Sequence, residues 1–180
     1  MPRPCHAWWH VMWHTYGTWL PGDPRGFRDR HGRIESHGDY KRPPPKGEHE
    51  GLHRYAKRVS NREVVLTTPE LRREVCDALL ATIQILDCRA IVITVCRVHV
   101  HLVVELPKDF SERDAALTKI KTKSSALVIN KPASRLWARK WKTVFIEDEA
   151  HREQELIYVR DRQGPFNCTW THRDGFVACR

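Results

Sequence analysis

The alternation of apolar and polar positions divides the chain into a strand, a long polar stretch, and then helices and strands in turn. In residues 7–20, "AWWHVMWHTYGTWL", Ala7, Trp9, Val11 and Trp13 alternate with Trp8, His10, Met12 and His14, the period of two that marks a strand. "PGDPRG" at 21–26 signals a turn. From 28 to about 60 the chain is polar, and the three consecutive prolines of "KRPPPKGEHEG" suit neither a helix interior nor a central strand. That segment reads as an extended insertion or lid. Helical periodicity appears in "VVLTTPELRREVCDALLATIQILD", where Leu71, Val75, Leu79 and Ile83 form one stripe. Thr67 pairs with Glu70 as a cap and Pro69 falls in the first turn, which predicts a helix over about 68–86. "RAIVITVC" and "RVHVHLVVEL" follow as two strands, antiparallel and joined tightly near Cys96–Arg97. Ser111 with Asp114 opens a second helix running to about Asn130, and "TVFIED" gives a short strand. Residues 147–163 read as a third helix, with an acidic first turn and a basic last turn. The final "GPFNCTWTHRDGFVACR" is a tail with one more edge strand.

This order predicts an α+β fold: an antiparallel sheet with helices packed on one face, residues 1–180 as a single domain around the polar insertion at about 28–60. A chain of 180 residues buries a core without metal or disulfide staples. The six cysteines form no C-x-x-C pair and read as free thiols, several of them in the core. No run approaches the roughly 18 apolar residues of a membrane span, and "MPRPCHAWWH" lacks the apolar core of a signal peptide. The expected compartment is the cytoplasm and no membrane partner is expected. The net charge of +9 changes the picture more, because a field of that sign attracts polyanions and makes nucleic acid the leading partner.

Three features could carry chemistry. His99 and His101 stand two apart on a strand, so both imidazoles point to one face, as two ligands of one ion or as a polar pair on a half-exposed sheet. Glu105 shares that face and either assists them or flanks the sheet in water. In the third helix His151, Gln154 and Tyr158 fall on a common side. Tyr158 is either an amphipathic core residue or a nucleophile whose phenolate attacks phosphorus, which needs a cation to draw charge from the phosphate. Between these motifs, residues 107–146 hold ten Lys or Arg against three acids, a net of +7. Lys119, Lys121, Lys123, Arg135, Arg139, Lys140 and Lys142 form a candidate phosphate track. Trp137 and Trp141 lie within it, as base-stacking platforms or core anchors.

Taken together, these stretches resemble a known family. "VHVHLVVEL" resembles the histidine–hydrophobic–histidine strand of the IS200-like single-tyrosine transposases of the HUH endonuclease superfamily. "WHTYGTWLPGDPRGF", "VVLTTPELRREV" and "LWARKWKTVFIEDEAHREQELIYVRDRQG" resemble, in order, the opening, the first-helix lead and the closing block of its branch associated with repetitive extragenic palindromes. The resemblance implies a ferredoxin-like fold and a metal-dependent enzyme that cleaves and rejoins single-stranded DNA, often beside a hairpin, through a 5′-phosphotyrosine. It implies Mg2+ or Mn2+ on His99 and His101, with Tyr158 as nucleophile. The family's usual glutamine four residues after the tyrosine is here Arg162, so the third ligand is either Gln163, one residue later, or Gln154, one turn earlier, with His151 more distant. Relatives include dimers that exchange tyrosine helices as well as monomers, so a homodimer is one arrangement allowed.

The competing reading is a DNA hairpin-binding protein on the same scaffold without turnover. A third reading places His6, His10 and His14, spaced by four, on a helix as a structural zinc face; the strand pattern of the same residues opposes it.

Overall fold

A six-stranded antiparallel sheet runs through the computed structural model of the protein, which describes residues 1–24, 27–28, 33–34, 47, 49–60, 63–133 and 135–179. The elements in chain order are β1 (His6–His14), β2 (Phe27–Arg28), β3 (Arg33–Ile34), α1 (Glu50–Val59), α2 (Pro69–Ile85), β4 (Arg89–Cys96), β5 (His99–Pro107), α3 (Phe110–Leu127), β6 (Lys142–Phe145), α4 (Glu149–Asp161), β7 (Asn167–Thr171) and β8 (Gly175–Cys179). The sheet order is β6-β1-β5-β4-β7-β8, and β2 and β3 pair separately. Strands β1, β4, β5 and β6 with helices α2 and α3 form the βαββαβ unit of a ferredoxin-like fold. The hairpin β7–β8 widens the sheet beyond β4.

Side-chain alternation gives the sheet two different faces. Val100, Leu102, Val104 and Leu106 of β5 enter the large core beneath α2 and α3, with Val11, Trp13, Leu79, Ile83, Leu117 and Ile120. These two helices are the layer expected on one face. The opposite face takes α4, through a small cluster of Val92, Val103, Ile146 and Val159. His99 and His101 share the parity of Val103 and so point to the α4 side.

The helix caps lie near their expected places, with different residues. Thr68, rather than Thr67, accepts from Leu71 N at 3.1 Å, which leaves Pro69 at the first helical position, where its missing N–H costs nothing. Asp109 accepts from Glu112 N at 2.9 Å, so Ser111 lies inside the first turn of α3 instead of capping it. The stretch expected to be irregular contains α1. Gly22, at φ +80°, packs so closely on that helix that a Cβ would lie 2.5 Å from His53 N. The rest of the expected insertion, with its three prolines, lies outside the described residues.

The tail is a two-stranded hairpin instead of one edge strand, and this corrects the reading of the cysteines. Cys168 and Cys179 are cross-strand partners and form a disulfide. Cys5, Cys76, Cys88 and Cys96 are free. Burial raises the Cys76 thiol and pushes Cys96 up to about 12, which keeps both inert. Reducing the disulfide releases an 11-residue closure and is expected to cost about 2 kcal/mol. Thermal melts with and without a dithiol reductant measure this; identical melting temperatures would refute it. Among the described residues, no helix is long and apolar enough to cross a membrane.

Candidate active site

The site is built where β5 and β1 run side by side. Their register pairs His14 with His99 and Met12 with His101, so the even-numbered residues of β1 share a face with the two β5 histidines. Four imidazoles form a row: His14 to His99 at 5.9 Å between ring centroids, His99 to His101 at 5.1 Å, and His101 to His10 at 5.1 Å. His10 and His101 are buried, and His10 Nε2 lies 2.8 Å from His101 Nδ1. The reading of His6, His10 and His14 as a helical zinc face does not hold, because they lie on a strand. Residues four apart there are about 13 Å distant, too far to share one ion.

Helix α4 lies over this row. Asp148 caps it, accepting from His151 N at 2.7 Å. One side of the helix then presents His151, Glu155 and Tyr158, at i, i+4 and i+7. Glu155 Oε2 is 2.7 Å from His10 Nδ1, and its Oε1 is 3.5 Å from His151 Nε2. Oε2 is buried and has no in-line donor, so the 2.7 Å contact is electrostatic, and the carboxylate charge favours a proton on the His10 nitrogen that faces it. The Tyr158 ring sits edge-on to both His10 and His101, with each centroid 5.8 Å away, and the residue is 45% exposed. Its backbone is fixed: the Tyr158 carbonyl accepts from Arg162 N at 3.1 Å, and Thr94 Oγ1 donates to the next carbonyl, of Val159, at 2.8 Å.

Burial lowers the pKa of His10, with the nearby Lys142 charge adding to this and Glu155 opposing it. Burial pushes His101 down to about 3, with the other histidines of the row adding to it. Both imidazoles are therefore neutral at pH 7 and keep a lone pair.

The remaining expected site residues are dispersed. Gln163 Nε2 donates to the Tyr158 carbonyl at 3.0 Å and so finishes the helix end, while Gln154 is exposed. Glu105 is neither an assistant to the histidines nor in water. It is fully buried, with Arg89 Nε at 2.5 Å and Arg3 beside it; these bonds hold its carboxyl down at about 2. Lys142 pairs with Met12 and thus joins the histidine face from the edge strand β6. Lys119 and Lys123 are exposed on α3. Lys121 turns inward, donating to the carbonyls of Ala138 at 2.5 Å and Arg139 at 3.0 Å. Trp137 is a core residue whose Nε1 donates to Ser124 Oγ, and it packs edge-on against Trp13. Arg135, Arg139 and Lys140 rim a groove of about 780 Å³ between α3 and residues 135–143, with Trp141 in its wall.

No family model and no curated protein matches this chain. In structure it is similar to a REP-associated tyrosine transposase bound to a REP hairpin. The two share 12% identity with a TM-score of 0.43, and the alignment covers 85% of this chain and 64% of that one. A likeness of that degree assigns no role to any residue here.

Sequence reading gave Glu155 no role and considered His10 only for a zinc face, not for its place between His101 and Glu155. Only the alternation of His10 and His14 with apolar neighbours hinted that β1 would bring imidazoles to the same face as β5. Among the described residues, no three His, Cys, Asp or Glu side chains converge as a ready-made metal cage. The donors that fit a divalent cation are His99 and His101, neighbouring imidazoles of which His101 has one nitrogen occupied by His10 and the other turned away from it.

Proposed function

We propose that this chain is a single-strand DNA endonuclease and strand transferase, with Tyr158 as its nucleophile and His99 and His101 holding Mn2+ or Mg2+. The observation that carries this reading is the placement of an exposed tyrosine, on a helix that crosses the sheet, edge-on to the buried imidazole of His101. The motif resemblance implies the same tyrosine and histidine. When bound, the cation would draw charge from the scissile phosphate. The chain's own residues do the rest. The Tyr158 Oη attacks phosphorus, forming a Tyr–O–P bond as the P–O3′ bond breaks. The phenol proton passes to water at the exposed face, and the departing 3′ oxygen takes up a proton to become a hydroxyl. In rejoining, a 3′ hydroxyl attacks the phosphotyrosine and the phenol is restored. Asp148 and the Thr94 hydroxyl orient the helix, and the apolar contact of Val159 seats it.

DNA reaches the site along positive surface. Lys142 faces the histidines, while Arg139 and Lys140, just before it, belong to the groove on the far side of β6. A strand passing the β6 edge therefore meets phosphate donors on both faces. The chain works as a single domain in the cytoplasm, on a hairpin-bearing single strand, alone or as a homodimer. Replacing Lys142 by alanine is expected to weaken single-strand binding several-fold and to reduce the slope of log K against log salt by about 0.7, one phosphate contact. Fluorescence anisotropy over a salt series measures the slope, and an unchanged slope would remove Lys142 from the track.

The test of the activity is a denaturing gel. Purified protein is incubated with Mn2+ and labelled single-stranded oligonucleotides carrying hairpins from the gene's own flanks. A covalent protein–DNA band that disappears with EDTA supports the enzyme. A specific observation favours the alternative, a hairpin-binding protein without turnover: Gln163, the candidate third ligand, is committed to the helix end. Tight, salt-sensitive binding with no adduct across the set would select that reading.

A further inference from the structure

The row of imidazoles ends in a chain of contacts that leads away from the cation donors. His101 meets His10, which meets Glu155, at 2.8 and 2.7 Å. All three belong to different elements, β5, β1 and α4, so the chain exists only in the folded protein. Counting protons along it decides the orientation of each. A carboxylate offers lone pairs only, so the His10 nitrogen facing Glu155, Nδ1, carries the His10 proton. A neutral imidazole has one such proton, which leaves His10 Nε2 as an acceptor. At 2.8 Å a single hydrogen lies between His10 Nε2 and His101 Nδ1, and it must then belong to His101. The other nitrogen of His101, Nε2, is left with an open lone pair.

The opposite arrangement is equally simple in isolation. Without an acceptor at Nδ1, His10 can hold its proton on Nε2 and donate to His101 Nδ1. His101 would then carry its own proton on Nε2, the nitrogen turned away from His10, and that nitrogen could not bind a cation.

We propose that Glu155 is a positioning residue that acts through His10 to fix the tautomer of His101, so that the Nε2 lone pair of His101 is presented to a divalent cation. The role rests on the reading of His99 and His101 as cation donors. It differs from that of a ligand, because both Glu155 oxygens face imidazoles on the far side, those of His10 and His151. His10 is likewise a positioning residue: buried, it transmits the choice made by a carboxylate on one element to a donor on another.

The test uses protein labelled with 15N-histidine and free of metal, comparing wild type with Glu155→Leu and Glu155→Gln. Two-bond 1H–15N spectra read which nitrogen of His101 is protonated. The expected wild-type result is protonated Nδ1. Glu155→Leu should bring in the Nε2-protonated form, and Glu155→Gln, which keeps an oxygen acceptor, should retain the wild-type pattern. Mn2+ affinity, measured by the loss of the free-ion EPR signal, should fall about 10- to 100-fold in the leucine protein and far less in the glutamine protein. If the leucine protein does not fold, Glu155→Ala carries the same comparison. A His101 that keeps its Nδ1 proton after loss of the carboxylate would overturn the proposal, and so would a wild-type protein already protonated on Nε2. A wild type that binds no Mn2+, while its tautomer still follows residue 155, would refute the cation reading and leave the relay supported.

Discussion

A Tyr158→Phe protein is expected to fold, bind hairpin DNA as tightly as wild type and form no covalent adduct, with strand cleavage reduced by at least about a thousandfold. The substitution removes one oxygen and leaves the ring edge-on to His10 and His101. Because the residue is 45% exposed and its backbone carbonyl is held by Arg162 and Gln163 independently of the side chain, little stability is at stake. A melting temperature within about 1 °C of wild type should accompany the loss, since surface changes of this kind are within about 0.5 kcal/mol. Cleavage that survives at more than a few per cent would mean that another group attacks the phosphate. An adduct that persists would place the covalent link elsewhere.

The second large effect concerns Lys121, which its sequence neighbours marked as a DNA contact. Its ammonium is buried between Trp13 and Trp141 and holds the carbonyls of residues 138 and 139, with that of Lys140 at 3.4 Å. Replacing it with alanine removes the apolar stem from the core and strips those carbonyls of their donor, an expected loss of about 3 kcal/mol. In a chain of this length that lowers the melting temperature by about 10 °C. Burial, with the charge of Arg135 adding to it, lowers the Lys121 pKa from 10.5 to about 8. Between those values the unfolded chain holds more protons than the folded one, so wild-type stability should rise from about pH 8 to 10.5, by at most about 3 kcal/mol. Below pH 8 the penalty is constant. The alanine protein should lack this rise, which denaturant titrations across that range would show. Were Lys121 a phosphate contact instead, the substitution would flatten the salt dependence of DNA binding and leave the melt unchanged.

Periodicity made most of the fold legible. The alternation in β1, β4 and β5 and the apolar stripe of α2 were enough to lay out the βαββαβ order, because each depends on local spacing. Helix caps differed by one or two residues because Thr67 and Thr68, or Asp109 and Ser111, offer nearly equivalent oxygens. The misses share a cause, which is distance along the chain. His10 lies 91 residues from His101, and only the pairing of β1 with β5 brings them together. Cys168 and Cys179 looked unpaired until the tail folded into a hairpin. Lys121 and Glu105 were read by charge, and charge alone does not reveal burial; both are held inside by partners supplied from other elements. A motif resemblance joined the tyrosine to the two β5 histidines across segments that local patterns could not connect, and the Tyr158 and His101 rings are neighbours in the fold.

The two faces of the sheet have a consequence for the history of such a gene. The extensive core beneath α2 and α3 carries the stability of the chain, while the histidines and Tyr158 lie on the other side with only a small apolar cluster. A change confined to the exposed Tyr158 side chain therefore costs the fold little. If the proposed function holds, a copy without the Tyr158 hydroxyl keeps its shape and its positive surface, and selection could retain it for binding nucleic acid alone.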